Sequence, residues 1–185
     1  TLFPTRRFPI LAAYGAQLKL GKTPAQALDY VKTLLTKNVS VEDPSGSTAM
    51  ATFTGGKGDV LLSYESEAIA AKKAGEDIDY VIPKQTILIQ TPIAVISKSS
   101  HVKQAQDFVN WLWTPAGQTI WAQQGYRPVD SSVAARFSST FPTPPELFTI
   151  DDLGGWKKVK EQFFGSSGGS VTKIQQQAGF PTTSS

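Results

Sequence analysis

Two kinds of segment take turns along this chain, and that alternation limits its fold more than any other feature. Helix-like stretches open on threonine–proline pairs, Thr23-Pro24 and Thr114-Pro115, where the hydroxyl caps the helix and the proline fills the first helical position. Between and beyond them lie strand-like runs: the alternating Val39-Ser40-Val41, the compact apolar Asp59 to Tyr64, Asp79 to Pro83, and the β-branched Ile87 to Ser97. These predict strands. Strand and helix in alternation argue an α/β domain on a largely parallel sheet rather than a sandwich or a bundle.

The helices follow from spacing. Leu11 to Leu20 is the first, and Thr23-Pro24 opens a second to Lys37 with Leu28, Val31 and Leu35 as its buried stripe. Ser47 caps a third through Phe53, and Glu65 to Ala74 is alanine-rich and helical. Lys103 to Trp113 turns Ala105, Phe108, Val109 and Leu112 inward, and Thr114-Pro115 restarts a helix to Gln124. A short helix spans Ser131 to Phe137, and Leu153 to Phe164 carries Trp156, Val159 and Phe163 on one face. Ser166 to Ser170 reads as a link, a short helix runs on to Gln177, and Pro181 to Ser185 as a frayed tail. Pro92 makes the Ile87 to Ser97 run a bent or edge strand, or a crossing between lobes.

Composition narrows the chemistry. With 185 residues, 40% of them hydrophobic, the chain can bury a real core. No run approaches the roughly 20 apolar residues of a membrane helix. The absence of cysteine excludes disulfides, thiolate metal sites and thiol catalysis. A net charge of +3 is too small to argue nucleic acid, and Lys157, Lys158 and Lys160 read as the solvated face of a helix rather than a basic module with Arg6 and Arg7. Arg6-Arg7 ahead of Phe8 to Ala13 imitates a secretion signal. The shortness of that apolar run favours a first helix instead.

Catalysis has little to work with. His101 is the sole histidine, no G-x-S-x-G elbow accompanies it, and it reads as a solvated loop residue. Asp151-Asp152 and Glu65/Glu67 lack calcium-loop spacing, and carboxylates two apart on a helix face different ways, unlike a glycosidase pair. Gly55-Gly56-Lys57-Gly58 precedes a predicted strand, so it is a turn and not a phosphate loop. Trp111, Trp113 and Trp121 fall where core packing accounts for them. At Ser45-Gly46-Ser47-Thr48 a loop enters a helix, where free N–H groups, the dipole and hydroxyls favour an anion. A plain capped helix start explains the same residues equally well.

Several stretches in order resemble the periplasmic sulfate/thiosulfate-binding proteins of bacterial ABC importers. They are Gly46-Ser47-Thr48, Thr52-Phe53, Gly58 to Ala68, Phe108 to Leu112 with Pro115-Ala116-Gly117-Gln118, Tyr126-Arg127-Pro128, Leu147 to Asp151, and Gly154-Gly155-Trp156. The resemblance covers about Leu11 to Ile174. It implies a type II periplasmic-binding fold of two α/β lobes and capture of sulfate or thiosulfate by N–H and hydroxyl donors, with molybdate, phosphate or no tight ligand as the alternative. It implies Ser45, Gly46, Ser47, Thr48 and Tyr64 as the ligand residues, Tyr64 standing where the family has a binding tryptophan, and Pro44 or Ser45 beside a further backbone donor. The family's serine-glycine clamp does not match Thr1 to Ile10. Residues 1–83 correspond to most of the second lobe, 84–126 to the hinge strand and returning helices of the first, 127–165 to a loop-rich crossover and C-terminal helix, and 166–185 to a tail. The first part of the first lobe has no counterpart here, which implies exposure of Phe108 and Leu112. The resemblance further implies a monomer outside the cytoplasm, membrane-anchored or free, that is not an enzyme, needs no cofactor or metal, and serves a membrane permease and no nucleic acid.

Overall fold

The computed structural model describes residues 4–166, 168–180 and 182. The tail expected at Pro181 to Ser185 lies outside them save for position 182, and the side chain of Arg6 is likewise not described. The chain divides into two units, one drawn from Thr1–Tyr64, Asp77–Ile89 and Pro144–Ser185 and the other from Glu65–Glu76 and Gln90–Thr143.

In the first unit, α1 (Pro4–Lys19) begins well before the expected Leu11 and buries Ile10, Leu11 and Tyr14. That burial settles the signal-like stretch as a core helix. Helix α2 (Pro24–Thr33) is fixed by a reciprocal cap: the Gln26 N–H donates to Thr23 Oγ1 at 3.3 Å while the Thr23 N–H donates to Gln26 Oε1 at 3.0 Å. A π turn, Leu34–Asn38, carries it on to the expected end. Val31 and Leu35 are buried as the periodicity predicts, with Ala27 taking the third fully buried place and Leu28 packing at the core's edge. Helix α3 (Gly46–Thr54) starts two residues earlier than expected, because Ser45 and not Ser47 is the cap.

Strands β1 (Gln85–Ile87) and β2 (Glu146–Phe148) pair in parallel, Ile87 opposite Phe148. Helices α8 (Gly155–Phe164) and α9 (Ser170–Gln177) complete the core with Val159, Phe163, Phe164, Val171 and Ile174. A 3-10 turn, Asp151–Leu153, stands where the α8 helix was expected to begin, and left-handed Gly154 separates the two. Gly15 is the close-approach point, since a Cβ there would lie under 3.0 Å from the Phe148 ring. Arg7 does not offer itself to a polyanion: it is half-buried with its guanidinium 5.1 Å from the Phe164 ring centre.

The strand expectations fail elsewhere. Positions 39–41, 59–64, 79–83 and 88–97 are irregular, with Val60, Val81 and Ile96 at 80%, 88% and 75% exposure. A β-branched run becomes a strand only where a neighbour supplies ladder partners and buries its faces. Among the described residues only β1 and β2 find one.

The second unit holds α4 (Glu65–Lys73), α5 (Val102–Leu112), α6 (Pro115–Gln123) and α7 (Ser131–Arg136). Thr114 caps α6 by accepting from the Gly117 N–H at 3.2 Å, and Asp130 Oδ1 caps α7 through the Val133 N–H at 3.0 Å. Buried Gln118 ties the α5–α6 turn to the loop beyond, donating to the Leu112 carbonyl and accepting from the Val129 N–H, both at 2.8 Å. Leu112 is buried, yet Phe108 stays 56% exposed and stacks on Trp111. The core role expected of Trp111, Trp113 and Trp121 is corrected: all three lie open to solvent on this unit's surface.

Candidate functional site

Ser45, Gly46, Ser47 and Thr48 form a single helix start. Ser45 sits in extended backbone, φ −143° and ψ 163°, the geometry that turns a side-chain oxygen back over the first turn. Its Oγ accepts from the Thr48 N–H at 3.1 Å and lies 3.1 Å from Ser47 Oγ and 2.8 Å from Thr48 Oγ1. Three hydroxyls thus share one small cluster. Each carries a rotatable proton that can turn toward an acceptor arriving from outside. The N–H groups of Gly46 and Ser47 open the helix, where the helix itself offers them no carbonyl, and the dipole adds positive potential there. Ser47 and Thr48 are exposed while Ser45 and Gly46 are half-buried, so the donors are reachable yet seated.

The charge setting is spare. No lysine or arginine occurs between Asn38 and Lys57, so this segment offers an anion dipoles and not a counter-cation. Pro44 contributes no N–H, which leaves Ser45 as the backbone donor of that pair. Asp43 faces inward along the same segment and accepts from Thr52 Oγ1 at 3.3 Å, bracing the loop against α3. Tyr64 ends the irregular segment before α4; it is half-buried and engaged by a contact of its own, and the hydroxyl cluster closes without it.

The other candidates have structural employment. Glu65, one of the two carboxylates that a glycosidase pair would need, receives a two-pronged Arg127 guanidinium, Nε to Oε2 at 2.6 Å and Nη2 to Oε1 at 2.8 Å. Arg127 also donates to the carbonyls of Phe141 and Pro142, at 3.3 and 2.9 Å, which fixes the turn after α6. Asp152 accepts from the Thr149 N–H at 2.6 Å and its hydroxyl at 3.1 Å. Those two bonds hold its carboxyl below the usual range. His101 stands exposed ahead of α5 without a side-chain cap bond. Among the described residues no group of histidine, aspartate and glutamate is arranged to hold a metal ion, and no helix is long and apolar enough to cross a membrane.

Two contacts escaped the sequence reading. Arg127 and Glu65 stand 62 positions apart, and Gln175 donates from Nε2 to Glu42 Oε1 at 2.8 Å across 133 positions. No local pattern announces either pairing.

Comparison with known proteins follows the same line. Residues 9–149 match the family model described as bacterial extracellular solute-binding protein. The chain is 39% identical over 175 residues to the sulfate-binding protein of Synechococcus elongatus, covering 92% of this chain and 49% of that protein. It is 36% identical over 180 residues to the sulfate-binding protein of Escherichia coli (92% and 54%) and 36% identical over 176 residues to that organism's thiosulfate-binding protein (91% and 52%). Among solved structures, the sulfate-binding protein SubI from Mycobacterium tuberculosis superposes with a TM-score of 0.79 at 44% identity, over 85% of this chain and 55% of that one. The chain spans about half the length of the curated relatives it matches.

Proposed function

Since the chain belongs to the bacterial extracellular solute-binding family and carries the type II periplasmic-binding fold, we propose that it contributes to capture of sulfate or thiosulfate outside the cytoplasm for delivery to an ABC importer. The observation that carries this reading is the α3 start, where Ser45, Ser47 and Thr48 pool their hydroxyls within 3.1 Å of one oxygen beneath the open N–H groups of Gly46 and Ser47. Sulfate at neutral pH is a tetrahedral dianion with acceptors only, and a turn that offers it hydroxyl and N–H donors without a cation suits it. A dianion held by neutral dipoles leaves no unpaired cation behind on release, which fits a carrier that must hand its ligand on. Tyr64 is assigned a hydroxyl donor's part in the same site. Residues 1–83 are taken as most of the second lobe and 84–126 as the returning part of the first. The chain acts as a monomer that binds and delivers without catalysis, free or tethered at a membrane, with the importer's permease as its partner.

The test is a titration of sulfate into the chain, followed by thermal unfolding. A ligand bound only by the native state stabilises it by mass action, by about 2.7 kcal/mol at 100 times Kd, and so raises the melting point. Saturable stabilisation by sulfate, absent with chloride and lost in Ser47→Ala with Thr48→Val, supports the reading. Stabilisation by phosphate or molybdate in preference to sulfate replaces the ligand, and a cooperative melt indifferent to all oxyanions refutes binding by this chain.

A further inference from the structure

No side chain of α3 is fully buried; Ala49, Met50 and Phe53 are half-buried and stand outside the main core cluster, so that core holds the helix carrying the proposed donors only weakly. Its placement depends on the loop that enters it. Two of that loop's polar ties run to helices: Asp43 Oδ1 accepts from Thr52 Oγ1 of α3 itself, at 3.3 Å, and Glu42 Oε1 accepts from Gln175 Nε2, at 2.8 Å. The first tie binds the loop to α3 and moves with it. The second reaches α9, which is seated in the core through Val171 and Ile174.

Gln175 is wholly buried, at 0% exposure. A buried amide costs free energy that leucine at the same place would not, unless its polar atoms find partners. Its Nε2 has such a partner in the Glu42 carboxylate, a bond of the stronger, charge-assisted class, while its Oε1 is buried without one. We propose that Gln175 is a positioning residue for anion capture: through Glu42 it anchors loop 42–45, and hence the Ser45 cap and the donor turn of α3, to the core. This deepens the functional reading above and rests on it for the ligand, while the anchoring itself stands apart from any ligand. Thr172 supplies the control. It lies one helical turn before Gln175 on α9, and its Oγ1 is buried with no hydrogen-bond partner, so Thr172→Val alters the same helix without touching the tie.

Two readouts on the full chain separate the anchor from the ligand. In amide hydrogen exchange without sulfate, Gln175→Leu speeds exchange at Thr48 and Ala49 about tenfold, as loss of one charge-assisted bond predicts, while α1, α2 and α8 stay protected and Thr172→Val changes nothing. In sulfate titration the same variant weakens binding about tenfold. Glu42→Leu produces both effects at least as strongly, the double variant is no worse than Glu42→Leu alone, and Glu42→Gln, which keeps an acceptor oxygen, restores most of the wild-type behaviour. Should Gln175→Leu fail to fold, Glu42→Leu on the half-buried loop carries the test. Unchanged exchange at α3, or a uniform rise across the core helices, overturns the anchor. An exchange effect confined to α3 in a chain that does not bind sulfate keeps the anchor and removes the ligand assignment.

Discussion

Gly15→Ala sets two known effects against each other. Gly15 lies inside α1, where alanine is worth about 1 kcal/mol over glycine in helix propensity. The added Cβ would stand under 3.0 Å from Cε2 and Cζ of Phe148. That ring is 2% exposed and carried on β2, whose backbone is held in register by β1, so neither ring nor strand has free space to retreat into. Overpacking of this kind costs about 1–3 kcal/mol, and the absence of relief puts it toward the upper end. The net expectation is a loss of about 1–2 kcal/mol, equivalent to a melting point lower by roughly 2–8 °C for a chain of this size. Urea unfolding followed by circular dichroism reads it as a lower midpoint at unchanged slope. In the double variant with Phe148→Leu the shorter side chain vacates the space, and the alanine then stabilises relative to Phe148→Leu alone. If Gly15→Ala matches or exceeds the wild type, α1 does not approach the sheet as closely as described and the packing argument is wrong.

Arg127→Lys keeps the charge but not the fork: it loses the two-pronged Glu65 contact and a carbonyl bond at a site about three-quarters buried, for an expected loss of about 2 kcal/mol in denaturant unfolding. Thr23→Ala removes half of the α2 capping box and should cost about 1 kcal/mol by the same assay. The Asp130 carboxyl is held below its ordinary range, first by the Ser132 hydroxyl and then by the Val133 N–H. Its folded value therefore lies below its unfolded one, so the α7 cap is in force above the unfolded value and is lost as pH falls through the folded one; carbon-detected NMR titration should show that late protonation, and Asp130→Asn should flatten it. Phe108→Ser should change stability by less than about 0.5 kcal/mol while reducing binding of a hydrophobic dye, because that ring is more exposed than buried.

What the sequence disclosed was what neighbours decide. Thr23-Pro24 and Thr114-Pro115 opened their helices where expected, because a cap is settled within four residues. Ser45 and Ser47 offered the same chemistry two positions apart, and only the extended backbone of Ser45 chose between them. The strands were misjudged for the opposite reason. Asp59 to Tyr64 has every local mark of a buried strand, yet ladder bonds come from elsewhere in the chain, and Val60 lies open. The donor turn of the candidate site could be read, since all four of its residues are consecutive. Its tie to α9 could not, because Glu42 and Gln175 meet only after the chain has folded back on itself.

The pairing of β1 with β2 also sets an order of events. Their partners are 61 positions apart, and closing a loop of that length costs about 3–4 kcal/mol before any ladder bond forms. The core that repays this cost includes Phe148, Val159, Phe163, Val171 and Ile174, all made long after Leu11, Val31 and Leu35. The second unit is complete by Thr143, before β2 exists. Helices α1 and α2 can pack on each other early, and α1 on β1, but Leu11, Val31 and Leu35 wait for Phe148 and the α8 and α9 side chains while more than a hundred further residues are added, roughly ten seconds at ordinary synthesis rates of about 5–20 residues per second. Throughout that interval the first unit holds only its early local contacts, and the open faces of α1 and α2 depend on whatever shields them until α8 and α9 arrive.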